Sequence, residues 1–134
     1  AMWLFTDAIL RGRPIQVFNH GKMRRDFTYI DDIIQGICGA VERDLVDKYS
    51  IYNLGNHRCE ELEKLIGLLE KYLGKSAMRE NRPMQPGDVP ATFADVEKAR
   101  RDLGFNPRTS IESGVESFIR WYTGTWLKYM EDNS

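Results

Sequence analysis

Residues 14–33 read PIQVFNHGKMRRDFTYIDDI and contain the clearest local structure signals of the chain. The letters PIQVF alternate apolar and polar residues, as a strand does, NHGK is typical of a turn, and RRDFTYI is a second β-rich run. Asp31 and Asp32 follow where a helix would begin, and we expect one of them to cap it. The stretch therefore predicts two strands with a tight connection between them, followed by a helix.

Strand and helix signals alternate along the rest of the chain. Apolar residues recur at helical spacing in WLFTDAIL, EELEKLIGLLEKYLG and SIESGVESFIRWY, whereas the compact run YSIYNLGN is typical of a strand. We expect Gly74 to end the second of these helices and Asp95 to begin a short helix, and Thr109 and Glu112 have the spacing of a capping box. This alternation favours an α/β fold, a short mixed sheet covered by helices.

The helix that follows Asp32 has a broad apolar side and two internal glycines. Gly36 and Gly39 each cost a helix about 1 kcal/mol relative to alanine, so we expect this helix to lie close against another element. Segment 30–54 has more apolar surface than the chain can cover, and we expect it to lie on a sheet outside this chain.

The near balance of charge argues against nucleic acid as a partner. The 134 residues include 19 Lys and Arg and 20 Asp and Glu, so the net charge is −1 and there is no strong field toward polyphosphate. Cys38 and Cys59 lack the spacing of a zinc site or a disulfide scaffold, which favours a reducing, cytoplasmic location. No apolar run approaches the roughly 20 residues of a membrane span. We expect one modest domain without a metal or a membrane partner.

The cations Lys22, Arg24 and Arg25 form the densest charge in the chain and admit two interpretations. They could be the solvated tip of a turn, or Arg25 could hold a small anion, because it opens the second β-rich run beside the strand end at Phe18. A guanidinium can donate two hydrogen bonds to a phosphate, and an aromatic ring can stack on a base. Phe18 and Arg25 therefore suit a nucleoside diphosphate.

The loop RPMQPGDVP holds a second candidate pair, Gln85 and Asp88. Prolines and Gly87 stiffen this loop, so an amide and a carboxylate could be held toward a ribose or a phosphate. In the alternative interpretation Asp88 caps a turn, which is common for Pro-Gly-Asp.

The sequence has no recognisable reaction centre. We expect Asp31 and Asp32 to be helix caps rather than an acid and a base, His20 and His57 to lie on the surface, and the aromatic residues after position 120 to pack. There is no Y-x-x-x-K pair, no glycine-rich loop after a first strand, no P-loop and no G-x-S-x-G. The chain thus carries binding groups without catalytic residues.

Several of these stretches together resemble one family. GRPIQVFNHGKMRRDFTYIDDIIQGI, YNLGN, LLEKYLGK, MQPGDVPATFAD, LGFNP and IESGVESFIRWY resemble the C-terminal part of the NAD-dependent epimerase/dehydratase family, the extended short-chain dehydrogenase/reductases that act on nucleotide sugars. Within it, GKMRRDFTYIDDI and MQPGDVP are most similar to the UDP-glucuronate 4-epimerases. The resemblance implies that residues 1–134 are a substrate-binding portion, with the Rossmann core, NAD and the catalytic tyrosine and lysine in an N-terminal half that this chain lacks.

The resemblance also implies roles for single residues. Phe18 would lie at the uracil, Arg25 would bind the diphosphate, and Gln85 and Asp88 would border the diphosphate and the ribose of a UDP-sugar. Residues 31–55 would pack on the missing NAD-binding domain, and the chain alone would be inactive. We therefore expect exposed apolar surface at Ile33, Ile34, Ile37 and Ile51, which self-association as a homodimer or a domain-exchanged oligomer would relieve. Two alternatives stay open: another nucleotide-sugar dehydratase or decarboxylase of the same superfamily, or a binding module that has no catalytic half.

Overall fold

The computed structural model describes residues 1–43 and 49–133 and has the expected α/β organisation with short sheets. Two short turns of other helical types, at Asn19–Gly21 and Tyr122–Trp126, complete the pattern. The helices and strands in chain order are α1 (Met2–Leu10), β1 (Ile15–Phe18), β2 (Arg24–Arg25), α2 (Ile30–Glu42), β3 (Glu60–Glu61), α3 (Leu62–Leu73), β4 (Arg79–Arg82), α4 (Glu97–Leu103), α5 (Ile111–Trp121) and α6 (Leu127–Asp132).

The first strand of the opening stretch forms as predicted, whereas the second is limited to Arg24–Arg25 of the predicted run RRDFTYI, and each pairs with a distant segment. β1 runs parallel to β4, with Ile15 opposite Arg79, and β2 runs antiparallel to β3. On its other side β2 meets the segment after the proline-broken loop, because the Arg24 amide donates to the Pro90 carbonyl at 2.8 Å. The basic stretch is therefore held between two other parts of the chain.

Two apolar clusters form the core. The larger one joins α1, β1, α3 and α5, and its members follow the helical and strand periodicity of the sequence. The smaller one lies around α4 and includes Val96, Ala99, Leu103 and Phe105. The buried residues of the larger cluster are Phe5, Ile9, Ile15, Val17, Met23, Leu62, Leu65, Ile66, Leu69, Ile111, Val115 and Ile119.

Helix α2 approaches its neighbours closely at both glycines, as predicted. A Cβ on Gly36 would lie 2.7 Å from the Leu54 methyl carbons, and one on Gly39 would lie 2.4 Å from the Leu103 carbonyl oxygen. The opposite side of α2 is open, with Ile34 47% and Ile37 48% exposed. Ile51 is 68% exposed as well.

Several local predictions are wrong. Ile33 is half-buried because it lies one turn before Gly36, on the packed side of α2. YSIYNLGN contains no strand among residues 49–56, since neither short sheet extends to it. Asp31 and Asp32 lie within the first turn of α2, and the N-cap position is Tyr29.

Capping of the other helices is closer to expectation. Gly74 ends α3 in the left-handed region with φ 63°. Asp95 accepts a hydrogen bond from the Glu97 amide at 3.1 Å, although Val96 holds the N-cap position of α4. Helix α5 is capped by Ser110, one residue after the predicted position, because the Ser110 hydroxyl accepts from the Ser113 amide.

Candidate functional site

A cleft of about 460 Å³ opens between α1, β1 and the segment around β2. Its wall is mostly apolar and includes Leu4 and Phe5 from α1. Three of the four candidate residues line it, namely Phe18, Arg25 and Asp88. An apolar cleft with a few convergent polar groups is the usual form of a small-molecule site.

The Arg25 guanidinium is held in a fixed orientation at this cleft. Its Nη1 donates to the carbonyl oxygens of Arg24 and Val89, both at 2.9 Å, and of Pro90 at 3.4 Å. Its Nη2 donates to Asp88 Oδ1 at 2.9 Å, in an ion pair whose side chains are 27% and 30% exposed. These contacts restrict the rotamers of a long side chain before any anion arrives, so less conformational entropy remains to be lost on binding.

The loop that carries Asp88 turns sharply ahead of the cleft. The Asp88 amide donates to the Gln85 carbonyl at 3.1 Å, and Gly87 between them has a φ of 84°. The Gln85 side chain is exposed and is not among the residues that line the cleft. The structure therefore joins Asp88 to Arg25 and leaves Gln85 on the outer side of the turn.

Phe18 is half-buried at the end of β1, where the chain turns. The turn is closed by Asn19, whose Nδ2 donates to the Lys22 carbonyl at 2.9 Å. Lys22 and Arg24 are exposed, and the Arg24 Nη2 donates to the Cys59 carbonyl at 3.0 Å. Of the three clustered cations, Arg25 is thus the one that lines the cleft.

Asp26 is a residue that sequence reasoning missed. Its carboxylate accepts hydrogen bonds from three backbone amides, those of Asn56 at 2.9 Å and of His57 and Ala94 at 3.0 Å each. His57 is half-buried here rather than on the surface, and its Nδ1 lies 2.9 Å from the Ala94 carbonyl oxygen. The donors lie 30 to 68 residues away along the chain, so no local pattern could reveal these contacts.

Ionisable groups with shifted pKa values lie at helix contacts. The hydrogen bond from Arg11 lowers the pKa of Asp7, and burial raises the pKa of Tyr122, whose hydroxyl lies 3.3 Å from Asp7 Oδ1. Hydrogen bonds from Lys64 lower the pKa of Glu112, which joins α3 to α5. These pKa shifts therefore arise from contacts that hold the helices in place.

A second cleft, of about 280 Å³, lies between residues 27–30 and α5 and is mostly apolar. The aromatic residues of the C-terminal helices pack together nearby, as predicted: the Trp126 ring centroid is 4.9 Å from that of Trp3 and 6.2 Å from that of Trp121. Over residues 1–43 and 49–133 there is no group of three or more His, Cys, Asp or Glu side chains that could hold a metal ion. In the same ranges no helix is long and apolar enough to cross a membrane.

The chain matches known proteins over most of its length. The family model described as GDP-mannose 4,6 dehydratase matches residues 3–118. An uncharacterized protein of Methanocaldococcus jannaschii is 44% identical over 122 residues, which cover 91% of this chain and 37% of that protein. The UDP-glucuronate 4-epimerase 2 of Arabidopsis thaliana is 37% identical over 141 residues, which cover 92% of this chain and 32% of that enzyme.

Solved structures show the same fold. The UDP-glucuronic acid 4-epimerase of Bacillus cereus, in complex with UDP-glucuronic acid and NAD, superposes with a TM-score of 0.85 at 31% identity. The match covers 92% of this chain and 40% of that one. This chain therefore spans less than half the length of these relatives.

Proposed function

Because the chain belongs to the extended short-chain dehydrogenase/reductase family of epimerases and dehydratases, we propose that it is the nucleotide-sugar-binding part of an NAD-dependent UDP-sugar 4-epimerase. The proposed reaction converts UDP-glucuronate to UDP-galacturonate. The observation that carries the proposal is the convergence of Phe18, Arg25 and Asp88 on one cleft. Both cysteines are free, as expected of a protein that works in the reducing cytoplasm.

Each residue of the cleft has a role that its chemistry allows. Arg25 donates to the diphosphate, where a charged hydrogen bond contributes about 1.5–3 kcal/mol. Phe18 offers its ring to the uracil at the end of β1. Asp88 orients the Arg25 guanidinium and accepts from the ribose hydroxyls. Gln85, which does not line the cleft, would border the diphosphate only if the loop of residues 83–90 moved toward the ligand.

The chemical step lies outside this chain. In such an epimerase NAD would serve as the hydride acceptor and donor at C4 of the sugar, and the residues that would hold it and take the proton of the C4 hydroxyl would lie in the NAD-binding half. The chain has no glycine-rich loop after a strand and no Y-x-x-x-K pair, so its residues do not fit NAD or a proton-transfer role. We therefore propose that the chain alone binds the UDP moiety weakly and has no activity.

Calorimetric titration with UDP tests the binding role. Arg25→Ala should weaken UDP binding by roughly tenfold or more, from the loss of a charged hydrogen bond. Arg24→Ala is the matched control, because the Arg24 side chain binds the Cys59 carbonyl rather than the cleft, and it should bind UDP like the wild type. Equal affinities of Arg25→Ala and the wild type would refute the diphosphate role.

Activity of the chain joined to an NAD-binding half tests the reaction. UDP-glucuronate should be converted to UDP-galacturonate, which chromatography separates from the substrate. A 4-keto or decarboxylated product would instead assign the chain to a nucleotide-sugar dehydratase or decarboxylase. If the chain bound UDP but gave no product with any NAD-binding half, it would instead be a non-catalytic binding module.

The open side of α2 has a role in the same proposal. Residues 31–43 and 49–55 pack on the NAD-binding half, which buries the exposed surfaces of Ile34, Ile37 and Ile51. Residues 44–48 of the predicted segment lie outside the described residues. The chain alone would cover this face by forming a homodimer or a domain-exchanged oligomer. Sedimentation should show association of the wild type that the double variant Ile34→Lys, Ile37→Lys abolishes, and a monomeric wild type at high concentration would contradict this role.

A further inference from the structure

Asp26 lies directly after Arg25, and its carboxylate joins three segments of the chain. Oδ1 accepts from the Asn56 amide at 2.9 Å, and Oδ2 accepts from the amides of His57 and Ala94, both at 3.0 Å. A Cβ on Gly55 would lie 2.4 Å from the Ala94 Cβ and 3.0 Å from Asp26 Oδ2. The segments are therefore packed tightly around the carboxylate.

The segment that Asp26 fixes through Ala94 is continuous with the groups that hold Arg25. The Thr92 amide donates to the Arg24 carbonyl at 3.2 Å, so residues 90–94 run alongside residues 24–26. At the start of this segment, the carbonyls of Val89 and Pro90 bind the Arg25 guanidinium. A shift of residues 92–94 away from Asp26 would carry these acceptors with it.

We propose that Asp26 is a positioning residue for the cleft: it fixes residues 89–94, and these fix the guanidinium that meets the diphosphate. This inference rests on the proposed function, since Asp26 acts on ligand binding only through Arg25. Its carboxylate does not line the cleft.

The two oxygens of Asp26 are not equally important. The Asn56 amide also lies 3.1 Å from the Thr28 hydroxyl oxygen, so it keeps an acceptor if Oδ1 is lost. The hydrogen bonds from the His57 and Ala94 amides both end on Oδ2. An asparagine can place its single oxygen there and keep the bonds from His57 and Ala94, although its Nδ2 donor then faces the Asn56 amide. Alanine removes every acceptor.

Asp32 provides a matched control within the chain. Its buried carboxylate also accepts from two backbone amides, those of Arg108 at 3.0 Å and Thr109 at 3.1 Å. It thus has the same kind of structural role as Asp26, in a part of the molecule that does not contact Arg25. Asp32→Ala should destabilise the fold without changing the discrimination between ligands.

The experiment measures the dissociation constants of UDP and uridine for each variant of the whole chain. Uridine shares the base and the ribose with UDP but lacks the diphosphate. The ratio of the dissociation constant of uridine to that of UDP therefore reports on the contact between the Arg25 guanidinium and the diphosphate. This ratio does not depend on the folded fraction of the protein. Asp26→Ala should lower this ratio about tenfold, Asp26→Asn should restore most of it, and Asp32→Ala should leave it unchanged.

The outcomes separate the two proposals. If the wild type binds UDP no more tightly than uridine, the proposed function is contradicted. If Arg25→Ala lowers the ratio of dissociation constants but Asp26→Ala keeps the wild-type ratio, only the role of Asp26 is contradicted. An Asp26→Asn ratio as low as that of Asp26→Ala would show that the bonds from His57 and Ala94 do not fix the guanidinium, and would also overturn the role of Asp26. Hydrogen exchange gives a ligand-free test: the Ala94 amide should exchange faster in Asp26→Ala, and unchanged protection would overturn the inference.

Discussion

Replacing Gly39 by alanine tests how closely α2 lies against the end of α4. Alanine favours a helix by about 1 kcal/mol over glycine. At Gly39, however, the new Cβ would lie 2.4 Å from the Leu103 carbonyl oxygen, a backbone atom that cannot rotate away. Overpacking typically costs 1–3 kcal/mol, and a rigid neighbour favours the upper part of that range. We therefore expect Gly39→Ala to lower the free energy of unfolding by about 1–2 kcal/mol.

Gly67 in α3 is the matched control, because it is exposed and a Cβ there would meet no atom within 4 Å. Gly67→Ala should raise the free energy of unfolding by about 1 kcal/mol. Urea unfolding followed by circular dichroism measures both variants, at a concentration low enough to prevent association. If Gly39→Ala stabilised the chain as much as Gly67→Ala, α2 would not contact Leu103 and the packing described above would be refuted.

Three further variants test other contacts. The Thr6 hydroxyl is buried without a hydrogen-bond partner, so Thr6→Val should raise the thermal midpoint by an amount equivalent to about 1 kcal/mol, and a lower midpoint would contradict the burial. Gly74→Ala should destabilise by about 1 kcal/mol because φ is 63° there, and an unchanged urea midpoint would argue against the left-handed cap. Burial raises the pKa of Tyr122 above its unfolded value near 10, so the free energy of unfolding should fall as pH rises past about 10. Urea titrations between pH 9 and 11 should show a smaller fall for Tyr122→Phe.

Local periodicity predicts the helices well in this chain. The stripe of α3 and the left-handed Gly74 depend on residues within a few positions of each other, and both are confirmed. The close approach of α2 could be predicted from Gly36 and Gly39 because both lie in a helix with a broad apolar side, whereas the exposed Gly67 of α3 has no neighbour within 4 Å. The strand predicted at YSIYNLGN is wrong because a strand also needs a partner, which local spacing cannot supply.

The acidic residues show where prediction from sequence ends. The sequence predicts Asp32 to cap a helix, yet it lies within the first turn of α2 and accepts from amides 76 and 77 residues away. The contact of Asp26 with Ala94 spans 68 residues and has no local signal at all. The role proposed for Arg25 comes from its strand and its neighbours. The role proposed for Asp88, which pairs with Arg25 across 63 residues, needed the loop chemistry and the family resemblance.

Nuclear magnetic resonance of the ¹⁵N-labelled chain, titrated with UDP, locates the nucleotide. We expect saturable shifts of the backbone amide signals of Phe18, Arg25 and Asp88, which line the larger cleft, and no shift at Gly104. Shifts confined to Gly114 and Ser117, in the smaller apolar cleft, would contradict the proposed site. The absence of any shift at millimolar UDP would contradict nucleotide binding by this chain.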